Sequence, residues 1–341
     1  MSFHEKPRPD REESDEYRPD NGAIDETLPI SYSVNKYGET ICHSDDAGKA
    51  DDDGESIGGR YGLIRLIGRG TFGSVHLAHD NQLEREVAVK VPNIAYSDDT
   101  RKNVEDAFLR EARQLAKISH PNIVTVHDLD FNDEGCYVVS EFIDGPDLNR
   151  WMQDNFPTWQ ESARMIAAVA DGLAAAHVEG VIHRDVKPAN IIISERTEGS
   201  IPILCDFGLA LSESTIGSSG ARKGDISGTP NYMSPEQARG EGHRIDGRTD
   251  IYSLGVVFYR MLTGQLPFMA RNIADLLEEI LEEEPRPPRQ FVKGLPRELE
   301  EICLKAIAKR LRDRYTTAGD FAEDLRALLK KEESASLAAA A

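Results

Sequence analysis

The eight residues His183-Arg184-Asp185-Val186-Lys187-Pro188-Ala189-Asn190 put a carboxylate, an ammonium and an amide close together, and a second acid opens the triplet Asp206-Phe207-Gly208. One acid of such a set can abstract a proton. The other acid and the amide offer hard oxygens to a divalent cation, and the ammonium can meet a phosphate. Short apolar runs flank the polar residues: Val181-Ile182 before them, Ile191-Ile192-Ile193 after them, and residues 201–205 leading into Asp206. Chemistry-bearing side chains on buried supports are how a site is built. A charged turn between two strands accounts for any one of these residues but poorly for all of them.

Two further stretches fit the same chemistry. Gly68-Arg69-Gly70-Thr71-Phe72-Gly73-Ser74-Val75 spaces three glycines between two strands. Backbone without side chains can approach a phosphate chain, although a ligand-free glycine hairpin or a dinucleotide turn has similar spacing. A strand follows here where a dinucleotide turn would open a helix, so the loop is expected to lie over a nucleotide as a flap. Val87-Ala88-Val89-Lys90 ends a β-branched strand on a lysine. Alone it reads as a surface lysine; Glu111, in a helix that can pack on that strand, gives it an ion-pair partner and a phosphate-holding role.

The elements that position these residues follow from periodicity and punctuation. Strands are expected over residues 61–67, 74–79, 85–91, 124–131 and 136–142, and a helix over 98–118 capped by Asp98 or Asp99. The run Ile143-Asp144-Gly145-Pro146 reads as a hinge. Beyond it, helices are expected over 148–155, 158–179, 249–263, 273–283, 297–308 and 317–331, with no internal repeat. Ile166, Val169, Ala170, Leu173 and Ala174 have the spacing of a buried helix face. Residues 1–58 form an acidic tail read as disordered, because few aliphatics stand among many acids. Within it, Asp51-Asp52-Asp53 reads as a solvated run, not a metal site. Residues 332–341, small and Ala-rich, read as a flexible end.

The bulk numbers narrow the function. The chain has 341 residues, 39% hydrophobic and 29% charged, enough for one large domain or two lobes. Its net charge of -20 argues against a nucleic-acid backbone or an anionic membrane as partner. Cys42, Cys136, Cys205 and Cys303 lie far apart, suggesting neither a zinc site nor a disulfide framework, and a reducing cytoplasm is expected. No run approaches the roughly 18 apolar residues of a spanning helix, and the start lacks a signal-peptide pattern.

Taken together, the motifs from about Tyr61 to Leu329 resemble those of a eukaryotic-type (Hanks-type) serine/threonine protein kinase as found in bacteria. The resemblance implies an α+β, bilobal protein-kinase-like fold: an antiparallel sheet lobe with one main helix over residues 59–142, and a larger, mostly helical lobe over 143–331. It implies Asp185 as catalytic base, Lys187 as the cation that neutralises the transferred phosphoryl group in serine/threonine kinases, and Asn190 and Asp206 as magnesium ligands, with manganese as an alternative ion. ATP would be held by the loop from Gly68 through Arg69, Gly70, Thr71, Phe72, Gly73 and Ser74 to Val75, by Lys90 with Glu111, and by Ala88 and Ile192, which with Val75 sandwich the adenine. The Glu141 carbonyl and the Ile143 N–H would bond the adenine edge, with Ser140 at the gatekeeper position.

The same resemblance moves His183 from candidate base to core packing, in a stack with Leu115, Phe207 and a residue of the fourth strand, anchored by Asp250. Gly208 completes the Asp-Phe-Gly motif. Residues 211–227 would be the activation loop, ordered when a phosphorylated residue meets Arg184. Ser212, Ser214, Thr215, Ser218, Ser219 and Ser227 are all eligible acceptors. Thr229 would contact Asp185 and Lys187, and residues 228–236 would position the peptide. Glu236 would pair with Arg314; Ser234 stands where an alanine is commoner, and Arg310-Leu311 departs from the usual Asp-Pro or Asn-Pro. Cys205 either faces the nucleotide or fills core.

The implied partners are protein substrates and ATP, with a dimer forming during autophosphorylation. Relatives often carry a spanning segment and sensor domain after the kinase. The chain shows neither, so its input is expected from a partner, the acidic tail or expression level. An ATP-binding pseudokinase would usually lack Lys90, Asp185 or Asp206, and all three are present. A small-molecule phosphotransferase would tend to lack the segment 228–236.

Overall fold

A computed structural model describes residues 32–34, 40–42, 56–70, 73–92, 109, 112–132, 135–196, 199–207 and 230–340. Two short tail strands, β1 (Tyr32–Val34) and β2 (Thr40–Cys42), pair antiparallel with Tyr32 opposite Cys42. The tail is thus not wholly without structure. Tyr32, Val34, Thr40 and Ile41 are strand-favouring side chains that a composition average hides.

A six-stranded antiparallel sheet follows, in the order β3-β4-β5-β6-β8-β7. Its strands are β3 (Ser56–Ile57), β4 (Tyr61–Gly70), β5 (Gly73–Asp80), β6 (Arg85–Pro92), β7 (Val126–Asn132) and β8 (Gly135–Glu141). The sheet begins three residues before the expected boundary at 59, because Ser56 and Ile57 pair with Gly62 and Tyr61. Strand alternation sorts its two faces. Val87, Val89, Tyr137 and Val139 join Ala78 and Tyr61 in the small-lobe core. Ala88 and Lys90 point the other way, in register with Ser140 and Val138 of β8.

The expected helix at 98–118 lies mostly outside the described residues; residues 112–115 are helical. It ends earlier than expected, where Lys117 and Ile118 donate to Gln114 and Leu115 carbonyls in tight turns. Leu115 and Ile118 are buried.

The larger lobe is built on α1 (Leu148–Asp154), α2 (Trp159–Val178), α3 (Pro235–Ala238), α4 (Gly247–Thr263), α5 (Ile273–Glu282), α6 (Arg297–Ala306) and α7 (Ala318–Ala340). Thr158 and Glu161 close a capping box at the start of α2. Ile166, Val169, Ala170 and Leu173 are buried as their spacing predicts, and Ala174 is half-buried against them. Helix α4 is buried along nearly its whole length, from Thr249 to Leu262, as a helix at the centre of a lobe must be. Helix α7 runs through the segment read as a flexible end. Residues 332–340 contain neither Gly nor Pro and are rich in Ala, the strongest helix former, so nothing there stops the helix. Among the described residues, no helix is long and apolar enough to cross a membrane.

A two-stranded hairpin, β9 (Ile191–Arg196) with β10 (Gly199–Leu204), carries the polar cluster at its open end. The hinge binds to this hairpin: Ile193 N donates to Pro146 O at 2.9 Å. A Cβ on Gly145 would lie 2.1 Å from the Ile193 carbonyl oxygen. Gly145 is therefore required by close backbone approach, beyond its part as a chain breaker. Gly145→Ala is expected to force this contact apart and destabilise the fold by about 1–3 kcal/mol, as overpacking does. Thermal unfolding would show it as a midpoint several degrees lower.

Candidate active site

The backbone of the His183–Asn190 run is hung on one buried carboxylate. Asp250, in the first turn of α4 and fully buried, accepts from His183 N at 2.8 Å and Arg184 N at 2.7 Å, and bonds His177 Nε2 at 2.8 Å. Arg184 sits at φ 65° and Asp206 at φ 59°, left-handed values that a side chain adopts only when its surroundings hold it there.

On this support Asp185 is surrounded by donors. Lys187 Nζ lies 2.7 Å from Asp185 Oδ2, and Asn190 Nδ2 donates to the Asp185 carbonyl at 2.8 Å and to Oδ2 at 3.2 Å. Cys205 N donates to Asn190 O at 2.8 Å, which holds the residue before Asp206 against the loop. Asp206 Oδ1 is paired directly with Lys90 Nζ, joining the sheet to the strand end of β10. With its Nδ2 bonded to Asp185, Asn190 has an Oδ1 that could ligate a cation, and Asp206 has a carboxylate oxygen besides the one paired with Lys90. These donors suit a hard divalent ion. Among the described residues no group of three or more Asp, Glu, His or Cys could hold a metal by itself. Two oxygen-bearing side chains without a cage match an ion that completes its shell with phosphate and water.

His183 has no nitrogen left for catalysis. Its Nε2 donates to Cys205 O at 2.9 Å, its Nδ1 accepts from Asp185 N at 3.3 Å, and its ring packs on Phe207 with centroids 4.6 Å apart. Phe207 and Leu115 belong to one buried cluster, against which Val126, Leu129 and Phe131 of β7 pack. Cys205 is half-buried, and its Sγ donates to the Ile203 carbonyl at 3.6 Å. Burial first, and the adjacent Asp206 charge second, push its thiol well above the ordinary range, which removes the reactive thiolate.

The Protein kinase domain model matches residues 61–326. The chain belongs to this protein kinase domain family. The serine/threonine-protein kinase PrkC of Bacillus subtilis (strain 168) is 36% identical over 276 residues, 80% of this chain and 41% of that protein. PknB of Mycobacterium tuberculosis (strain ATCC 25618 / H37Rv), named a serine/threonine-protein kinase, is 38% identical over 271 residues, 78% of this chain and 42% of that protein. The chain thus spans about two fifths of the length of these curated relatives. Among solved structures, the crystal structure of the Mycobacterium tuberculosis PknI kinase domain superposes with a TM-score of 0.61 at 27% identity, covering 80% of this chain and 97% of that one. The sheet lobe and helical lobe are those of the bilobal kinase fold.

The kinase-domain motifs distribute as follows. Gly68, Arg69 and Gly70 end β4, and Gly73, Ser74 and Val75 begin β5, with Gly70 opposite Gly73 and Gly73 at φ 134°, which favours glycine. Ala88 lies opposite Ser140; Ser140, Glu141, Val75 and Ile192 are half-buried and Ile143 is buried. Thr71, Phe72, Glu111, Gly208, Thr229 and the loop 211–227 lie outside the described residues. Arg184 Nε is buried with no hydrogen-bond partner among the described residues.

Glu236 and Arg314 meet as expected, in a buried bidentate pair at 2.8 and 2.9 Å. The remaining Arg314 donors go to the Ala308, Arg248 and Lys309 carbonyls, and Thr249 Oγ1 donates to Glu236. The Arg310-Leu311 departure is absorbed by a single 3-10 turn at Leu311–Asp313. Lys309, just before it, caps α5 by donating to the Glu279 and Ile280 carbonyls, and burial lowers its ammonium to about 8.

Sequence reasoning missed His177 and Gln237. Gln237 stands three residues after Ser234, the spacing of a capping box, which is the local signal that marks it. His177 carries no such signal.

Burial would raise the Glu236 carboxyl, but the Arg314 hydrogen bonds and charge, with Thr249, hold it below the usual carboxylate range. A depressed folded value stabilises at neutral pH, and that contribution is lost as pH falls through it. Arg314→Met is expected to cost about 3–5 kcal/mol, because Glu236 is left buried and unpaired. Chemical denaturation at neutral pH checks the cost. The gap between variant and wild type should narrow in acid as Glu236 protonates.

Proposed function

We propose that this kinase domain transfers the γ-phosphate of ATP to serine or threonine hydroxyls of proteins, in the cytoplasm and in a signalling role. The observation that carries the reading is Asp185 held between Lys187 and Asn190 on a loop fixed by Asp250. A substrate hydroxyl beside Asp185 gives up its proton to that carboxylate as its oxygen bonds the γ-phosphorus and the bond to ADP breaks. Lys187, 2.7 Å from Asp185 Oδ2, would neutralise charge on the transferred group. Lys90 would orient the α- and β-phosphates, and the glycine-rich strand ends of β4 and β5 would cover them. Asn190 and Asp206 would hold magnesium, or manganese, which when bound offsets phosphate charge.

Arg184 supports the regulatory part of the reading. A buried guanidinium nitrogen without a partner is costly, and a phosphate on a Ser or Thr of the loop 211–227 would supply the missing acceptor. Autophosphorylation of that loop, between two copies of the chain, would thus order it. The relatives named serine/threonine-protein kinases favour this acceptor chemistry over a pseudokinase.

The test is labelled ATP with magnesium and a general basic protein, wild type against Asp185→Asn. Transfer by the wild type is expected to fall about 10²–10⁴-fold in the variant, the range of general-base catalysis. Equal signal from both, or none from either, would sink the reading. Ser140, small and opposite Ala88, would leave room for an enlarged adenine at the gatekeeper position. An ATP-competitive analogue bulky at the adenine amine should inhibit the wild type and lose about tenfold or more in Ser140→Met, where the longer side chain excludes it. Unchanged sensitivity would remove Ser140 from the pocket.

A further inference from the structure

We propose that Gln237 is a positioning residue for phosphotransfer, coupling the end of the activation segment to the catalytic base through the backbone of Arg184. The inference rests on the phosphotransfer reading and adds to it a residue outside the catalytic set.

Gln237 makes one local and one long-range bond with the two ends of its amide. Its Oε1 accepts from Ser234 N at 3.0 Å, closing the capping box of α3, and its Nε2 donates to the Arg184 carbonyl at 2.8 Å. One partner is an N–H and the other a carbonyl, so the amide orientation is fixed by its partners. The Arg184 backbone is thereby held at both ends. Its N–H goes to Asp250 of α4 and its carbonyl to Gln237 of α3.

This matters because Arg184 is left-handed at φ 65° and immediately precedes Asp185. Such a residue stays in place only while its surroundings over-determine it. Without the bond to its carbonyl, the peptide plane between Arg184 and Asp185 is held only by the longer Asp185 N–His183 Nδ1 bond at 3.3 Å, and the base loses one of two restraints. Helix α3 is itself secured by Glu236, the neighbour of Gln237, in its pair with Arg314. A shift of the segment that ends at α3 therefore reaches Asp185 through one amide.

Two variants separate the bridge from the cap. Gln237→Glu keeps an acceptor for Ser234 N, since Glu serves a capping box as well as Gln does, but has no N–H for Arg184. Gln237→Met removes both bonds at similar size. With that restraint lost, kcat is expected to fall about tenfold in each, the scale of one hydrogen bond's free energy. KM for ATP should stay within about twofold because the nucleotide-binding residues are untouched, and both variants should stay folded at the assay temperature, with midpoints a few degrees lower for the lost hydrogen bond. Hydrogen exchange at the amides of residues 184–186 should quicken in both variants while α4 is unchanged. The proposal is overturned if kcat in both variants stays within about twofold of the wild type, or if exchange at 184–186 is unaltered. It is equally overturned if kcat falls only in step with the thermal midpoint. If Gln237→Glu does not fold, Gln237→Met carries the test. A wild type that transfers no phosphate would sink the kinase reading instead, and the exchange measurement would still decide whether Gln237 holds the loop.

Discussion

A fully buried carboxylate is costly unless its oxygens are filled by donors, and the active loop depends on how Asp250 meets that demand. Its donors are the backbone N–H groups of His183 and Arg184 and the ring of His177. Two of these belong to the loop, so the carboxylate and the loop satisfy each other. Unpairing either leaves a polar group stranded in the centre of the larger lobe. That mutual requirement keeps Arg184 left-handed and sets where Asp185 begins.

The same short stretch of α4 ties down the other side of the site. Three consecutive residues in its first turns each serve a different anchor. The Arg248 carbonyl accepts from Arg314, Thr249 donates to Glu236, and Asp250 takes the loop. The catalytic loop and the end of the activation segment are thus referred to one rigid element, although they are far apart in sequence. Helix α4 can serve because it is buried along nearly its whole length, so its position is set by packing on every side and not by the polar groups it carries. Asp246 at its N-cap and Asp250 in its first turn also stand at the positive end of the helix dipole.

What could be read from the sequence was what has local cause. The β-branched run Val87-Ala88-Val89 marked a strand ending on Lys90, and the spacing of Ile166, Val169, Ala170 and Leu173 gave the buried side of α2. The pairing of Glu236 with Arg314 came from family resemblance, since nothing local to either residue points across 78 positions. Gln237 was half legible: its cap to Ser234 is a three-residue pattern, while its bond to Arg184 spans 53 positions and leaves no trace in the chain. The tail hairpin and the extension of α7 were lost for the opposite reason. Average composition, acidic in one and Ala-rich in the other, was allowed to outweigh the propensity of individual residues.

The two left-handed residues at the site, Arg184 and Asp206, share a single set of supports. The residue before Asp206 is fixed from both sides by the loop that contains Arg184. Cys205 N donates to Asn190 O, and Cys205 O accepts from His183 Nε2. Asn190 and Asp206, the two candidate cation ligands, are therefore held at one spacing by backbone bonds, whatever their side chains contact. His183, which also accepts from Asp185 N, joins base and ligand pair into the same frame. This gives a physical reason for a histidine at that position that does not require it to move a proton. Its two nitrogens let it accept from the base's own peptide and donate to the strand end that bears Asp206, while its ring stacks on Phe207. The half-buried Cys205 thus serves through its backbone, which bonds both Asn190 and His183, while its thiol is held well above the ordinary range.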